Sequence, residues 1–145
     1  MGRRTLTLAL AAVMILAACG DDDDDGGASG SGGDGDTAVE ITSPADGDEV
    51  PSPVTVEMDA TNFTIEPAGD GAVNEGAGHF HLMVDTECVA EGEVIPSDDT
   101  HKHFGTGATE AELELDPGEH TICLQAGDGA HTALDLTDEI TITVT

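Results

Sequence analysis

Three stretches of the chain alternate apolar and polar residues with a period of two, and no segment of the presumptive folded part carries a convincing helical period. In "VTVEMD", Val54, Val56 and Met58 alternate with Thr55, Glu57 and Asp59. In "ATEAELELD", Ala111, Leu113 and Leu115 alternate with Glu110, Glu112 and Glu114. In "EITITVT", Ile140, Ile142 and Val144 alternate with Thr141, Thr143 and Thr145. A period of two puts one set of side chains on each face of a strand, so each stretch predicts a strand with one face buried and one wet. Turn-forming runs separate them: "SPADGDEVPSP", "EPAGDG", "LDPGEH" and "AGDGA". Short strands at such spacing predict an all-β fold, an antiparallel immunoglobulin-like β-sandwich. With three Phe and no Trp or Tyr, its core must be built mainly from Val, Ile, Leu and Ala.

The first residues belong to a different kind of segment. "MGRRTLTLALAAVMILAAC" has two arginines, a short apolar run and then Leu16-Ala17-Ala18-Cys19. The apolar run is short for a membrane span and suits a secretory signal. Its last four residues match a bacterial lipobox, whose cysteine is lipidated and becomes the mature N-terminus. Residues 1–18 are therefore expected to be a lipoprotein signal peptide, with Cys19 as the lipidation site. The Arg3-Arg4 pair leaves Sec and twin-arginine export both open. Residues 19–37, nearly all Asp, Gly and Ser, cannot bury apolar area and read as a disordered acidic tether. Asp21, Asp23, Asp25 and Gly26 match part of an EF-hand loop, but Gly32 stands where a bidentate Glu is required. The folded domain is expected over residues 38–145. The expected location is extracytoplasmic, with the chain held at the bacterial cell membrane through the lipid.

After Cys19 the chain carries one lysine, Lys102, against 31 carboxylates, a net charge of −30. Such a charge repels a phosphate backbone and argues against nucleic acid as a partner. It keeps the surface hydrated in salt and concentrates cations around the domain. Two cysteines remain besides Cys19, and in an oxidising compartment Cys88 and Cys123 are expected to pair. Closing so long a loop stabilises by on the order of 3–4 kcal/mol in the chain-entropy description. Parity raises a difficulty: Ile122 and Leu124 face the core, which turns Cys123 outward, whereas Cys88 shares parity with core-facing Val84. A turn or bulge after Asp85 would reconcile the two.

The candidate chemistry lies in the histidines. On a strand, "HFHLMVD" puts Phe80, Leu82 and Val84 on the core face and His79, His81, Met83 and Asp85 on the other. Imidazoles at i and i+2 project in parallel about 7 Å apart, close enough to share an ion if a neighbouring element supplies another ligand. "HKHFGTG" offers His101 and His103, and "GDGAHT" offers His131 beside Asp128. His120 shares its face with Ile122 and Leu124 and reads as structural. The candidate metal ligands are His79, His81, His101, His103 and His131, with Met83 and Asp128 as further candidates. Imidazole suits Cu and Zn, and an added thioether would tip the preference toward copper.

The motifs of common enzymes are missing: no G-x-S-x-G, H-E-x-x-H, Cys-x-x-Cys, P-loop or dinucleotide fingerprint occurs. The chain is accordingly read as a non-enzyme.

The stretches "GAGHFHLMVDT" and "IPSDDTHKHFGTGATEAELELDPGEHTICLQAGDGAH", with the closing "ITITV", resemble domain-of-unknown-function family 4399 of bacterial secreted proteins over roughly residues 40–145. The most specific portion runs from His101 to Glu110, followed by Pro117–Thr121. The resemblance implies a small extracytoplasmic β-domain without an assigned activity. Two departures stand out: Phe80 replaces a histidine often found in the family's G-H-H-H run, and Ala133-Leu134 replaces a frequent Pro-His. Three functions follow from these residues. The first is a lipid-anchored binding domain that holds Cu or Zn. The second is a structural or protein-interaction module of the cell envelope, in which Gly105, Gly107 and Gly127 set turn conformations. The third and weakest is a glycan-binding or glycan-hydrolysing domain using Glu110, Asp85 or Asp128.

Overall fold

The computed structural model describes residues 36–145; the expected signal peptide, Cys19 and nearly all of the tether lie outside them. The described residues are all-β and contain no helix. The strands are β1 (Ala38–Ser43), β2 (Glu49–Val50), β3 (Val54–Thr61), β4 (Thr64–Ile65) and β5 (Ala77–Val84), followed by β6 (His101–His103), β7 (Glu110–Leu113), β8 (Gly118–Gly127) and β9 (Ala133–Val144). They form two sheets of an immunoglobulin-like sandwich. One has the order β1-β3-β7; the other runs β2-β9-β8-β5-β4, with β6 also paired to β5. The long pairings are antiparallel, and the two parallel ones, β2 with β9 and β4 with β5, are two residues long at sheet edges.

The period of two is visible in burial. Along β3, Val54, Val56 and Met58 are buried while Thr55, Glu57 and Asp59 are exposed. Ala111 and Leu113 of β7 join them from the same sheet. Against these pack Phe80, Leu82 and Val84 of β5, Ile122 and Leu124 of β8, and Ile140, Ile142 and Val144 of β9. At about 25 cal/mol per Å² of apolar area, this one contiguous core is the main stabilising element.

β5 departs from the half-wet pattern: all eight of its residues are buried. It lies inside its sheet, paired to β8 on one side and to β4 and β6 on the other. Its outer face is covered by the segment that follows it. Asp85 turns the chain at a φ of 56° and lets that segment fold back over β8. Met83, Ile95, Cys123 and Ala133 form a second small core there, with Cys88 and Val89 packed on it. Gln125 pins the cover, its Oε1 accepting from the Val89 N–H at 2.9 Å and its Nε2 donating to the carbonyls of Val89 (2.8 Å) and Leu134 (3.1 Å). A disulfide joins Cys88 to Cys123 with Cα atoms 5.8 Å apart. The left-handed Asp85 resolves the parity conflict: Cys123 does face away from the main core, and the chain after the turn brings Cys88 to it.

Candidate metal site

His79 and His81 project from the outer face of β5 into the space beside the second core, and both are completely buried. Opposite them in β8 stand Gly127, paired with His79, and Gln125, paired with His81. A Cβ on Gly127 would lie 2.9 Å from His81 Nε2, so only glycine leaves that ring its place. His103 reaches the site because β6 runs antiparallel to β5 with His81 opposite His103 and Met83 opposite His101. A Cβ on Gly105 would fall on the His103 ring. Gly107, in contrast, serves its turn through a φ of 76°. The turn role read for all three glycines thus belongs to Gly107; Gly105 and Gly127 make room for imidazoles.

His131 comes from the loop between β8 and β9. The Asp128 carboxylate accepts hydrogen bonds from the N–H groups of Ala130 and Thr132, both at 2.8 Å. The His131 N–H donates to the Asp128 carbonyl at 2.9 Å, closing a tight turn. His131 itself is left-handed, with a φ of 66°, an uncommon state for a residue with a side chain. The cover segment holds the loop from the other side, where the Ile95 N–H donates to the His131 carbonyl at 2.8 Å.

The four rings converge. Centroid distances are 4.8 Å between His79 and His81, 4.9 Å from His79 to each of His103 and His131, and 5.0 Å between His81 and His103. The rings of His103 and His131 are 4.6 Å apart, and their Nε2 atoms lie 3.1 Å apart in a hydrogen bond that one ring must donate. One ligand nitrogen from each of His79, His81 and His103 falls within 4.8 Å of the others. A tetrahedral ion with bonds of 2.0–2.1 Å to nitrogen needs its ligands about 3.3 Å apart. The His103–His131 pair already meets that spacing.

All four ring nitrogens of His79 and His81 lack a hydrogen-bond partner. A buried polar atom without a partner costs about 1–3 kcal/mol, so native proteins rarely leave four together. Burial, aided by the neighbouring His103 and His131, lowers the pKa of His79 to about 4. Burial first, then the other cluster histidines, lowers that of His81 to about 3. His103 is lowered too, again chiefly by burial, then by His131. At neutral pH these three rings are neutral, the state that coordinates metal.

The other sequence candidates stand outside the cluster. His101 Nδ1 is bonded to the Asp98 carboxylate at 2.9 Å. Met83 is fully buried in the second core beside the disulfide. Asp128 braces the His131 loop. His120, read as structural, bridges the Asp85 carboxylate and the Asp116 carbonyl, each at 2.8 Å. Asp85, Asp128 and Glu110 do not form a pair of the kind a glycosidase uses. The β5–β8 register places the first two near opposite ends of the strand pair: Gly127, next to Asp128, stands opposite His79, and Asp85 lies six residue steps or about 20 Å further along. Glu110 is exposed on the other sheet.

Residues 56–145 match the family described as Domain of unknown function (DUF4399), and the chain belongs to it. The two departures from the family pattern leave the cluster whole: Phe80 and Leu134 both pack on the main core, on the opposite side of the sheet from the imidazoles. No match was found among curated proteins. Among solved structures, the chain is similar to the fibronectin(III)-like modules of Clostridium thermocellum CbhA, with 18% identity, 74% of this chain and 96% of that chain covered, and a TM-score of 0.45. It is also similar to part of the endo-beta-1,4-mannanase from Thermotoga petrophila, with 18% identity and a TM-score of 0.42. That second likeness covers 76% of this chain but 20% of the mannanase. Neither the fold nor the family indicates a catalytic function.

Proposed function

We propose that the domain binds one transition-metal ion, Zn(II) or Cu, through His79, His81, His103 and His131, and presents it outside the cell from a lipid anchor on Cys19. The observation that carries the metal reading is the set of four buried ring nitrogens of His79 and His81 without a partner in the protein. An ion would satisfy one nitrogen of each ring, and the two rings at the mouth complete an all-imidazole ligand set. That set suits borderline ions and disfavours Ca or Mg, which need oxygen ligands. The ion's charge finds no carboxylate ligand. The chain's net charge of −28 supplies the compensating field.

Titration of the chelator-treated protein with Zn(II) or Cu(II) should saturate at one equivalent. His103→Ala, at an exposed position, and His81→Ala should each weaken binding at least tenfold, while Glu110→Ala should not. Equal binding by wild type and both histidine variants would overturn the assignment, and absence of binding in wild type would favour an envelope module held together by its loops. The anchor has its own test: Cys19→Ser should move the protein from the membrane fraction to the soluble one.

A further inference from the structure

His79 and His81 have no exposed surface, and the ring of His103 packs against both, 4.9 Å and 5.0 Å away, so it stands between them and solvent. His103 is the exposed member of the ligand set. It lines a cavity of about 530 Å³ between β6 and β7, and His101 lines the same cavity. The two histidines share one face of β6, two residues and about 7 Å apart. His101 has the posture of a prepared ligand: its Nδ1 is held by the Asp98 carboxylate at 2.9 Å, which leaves Nε2 as the donor atom. A carboxylate on the far nitrogen fixes the ring and raises its strength as a ligand. Asp98 is itself fixed, its Oδ1 accepting from the N–H groups of Thr100 and His101 and from the Thr100 hydroxyl, each at 2.9 Å. Glu112 and Glu114 line the cavity too, so with Asp98 three carboxylates face one lysine, Lys102. That balance draws divalent cations in.

We propose that this cavity is the loading route of the metal site and that His101 is the first ligand an incoming ion meets, handing it to His103 and then to the buried pair. The proposal rests on the metal reading above and adds a kinetic role for a histidine outside the final ligand set. A residue that acts only in transit changes rates and leaves the equilibrium alone.

The test uses the full chain and Co(II), whose ligand-field absorption reports the coordination sphere. Association and dissociation are followed by rapid mixing, and affinity by titration. His101→Ala should slow association and dissociation together by about tenfold, the low end of what a focusing cleft contributes, with unchanged affinity and spectrum. Asp98→Asn, which keeps the loop's acceptor oxygen, should slow them less. Unchanged rates in both variants, with wild type still binding one Co(II), would overturn the loading role and leave the metal site standing. A weakened affinity with an altered spectrum would make His101 a permanent ligand, again overturning it. No uptake of Co(II) by wild type would remove both proposals.

Discussion

The β5–β8 pair places histidines near both of its ends and treats them in opposite ways. At one end His79 and His81 are sealed from water, surrounded by other imidazoles, and bonded to nothing. At the other, half-buried His120 is bonded through both ring nitrogens, to Asp85 and to the Asp116 carbonyl. Its pKa is raised, first by the bond to Asp116 and next by the bond to Asp85. One strand pair thus lowers two imidazoles and raises a third, because burial, and then neighbouring imidazoles, disfavour the charged form at one end, whereas hydrogen bonds to a carbonyl and a carboxylate favour it at the other. A histidine serving structure is satisfied by the protein. The unsatisfied pair is what a site left for a ligand looks like.

The contrast predicts mutational effects of opposite sign in chelator-treated protein. At the cluster end, His81→Leu removes two unpartnered nitrogens and keeps the volume, so it should stabilise the metal-free domain by about 1–3 kcal/mol in urea unfolding. At the other end, His120→Leu removes two good hydrogen bonds and leaves Asp85 and the Asp116 carbonyl to water, a loss of about 1 kcal/mol at this half-buried position. If His81→Leu were as destabilising as a cavity-forming core mutation, the cluster would be structural, and the comparison between the two ends would collapse.

Much of the sandwich was legible, because alternation of apolar and polar residues is itself the physical cause of a two-faced strand. The same logic found His79 and His81 on one side of β5 and Phe80 and Leu82 on the other. Parity could not show that this outer face is dry, since the cover over it depends on Asp85, Gln125 and the disulfide acting across 36 or 35 residues. Parity was equally unable to choose between His101 and His103. Both lie on one face of β6, and only the register decides that His103 stands opposite His81 and His101 opposite Met83. A slip of two residues would exchange their roles. The steric part of Gly105 and Gly127 was legible only as possible turn chemistry, because a missing Cβ acquires meaning when the ring beside it is known.

The pH dependence of the metal-free domain tests the comparison at both ends at once. His79 and His81 have folded values of about 4 and about 3 against 6.5 unfolded. Below pH 6.5 the unfolded chain therefore binds more protons at these sites than the native one, and stability must rise with pH. Their contribution is complete above pH 6.5 and is lost as pH falls toward 4. At pH 6.5 each is half protonated in the unfolded chain, so the two together give a slope of about 1.4 kcal/mol per pH unit. His120 acts with the other sign: its raised value makes its contribution complete below pH 6.5 and lost as pH rises through the folded value. The lowered carboxyl of Asp98 matters only below its ordinary value of 3.8, outside this window. Urea midpoints measured in chelator from pH 5.5 to 7.5 should thus rise with pH in wild type. In the His79→Leu/His81→Leu double variant the rise should weaken greatly, because two of its sources are gone while His120 still opposes it. An undiminished rise in that variant would mean that the buried pair is not what the acid side of the curve reports.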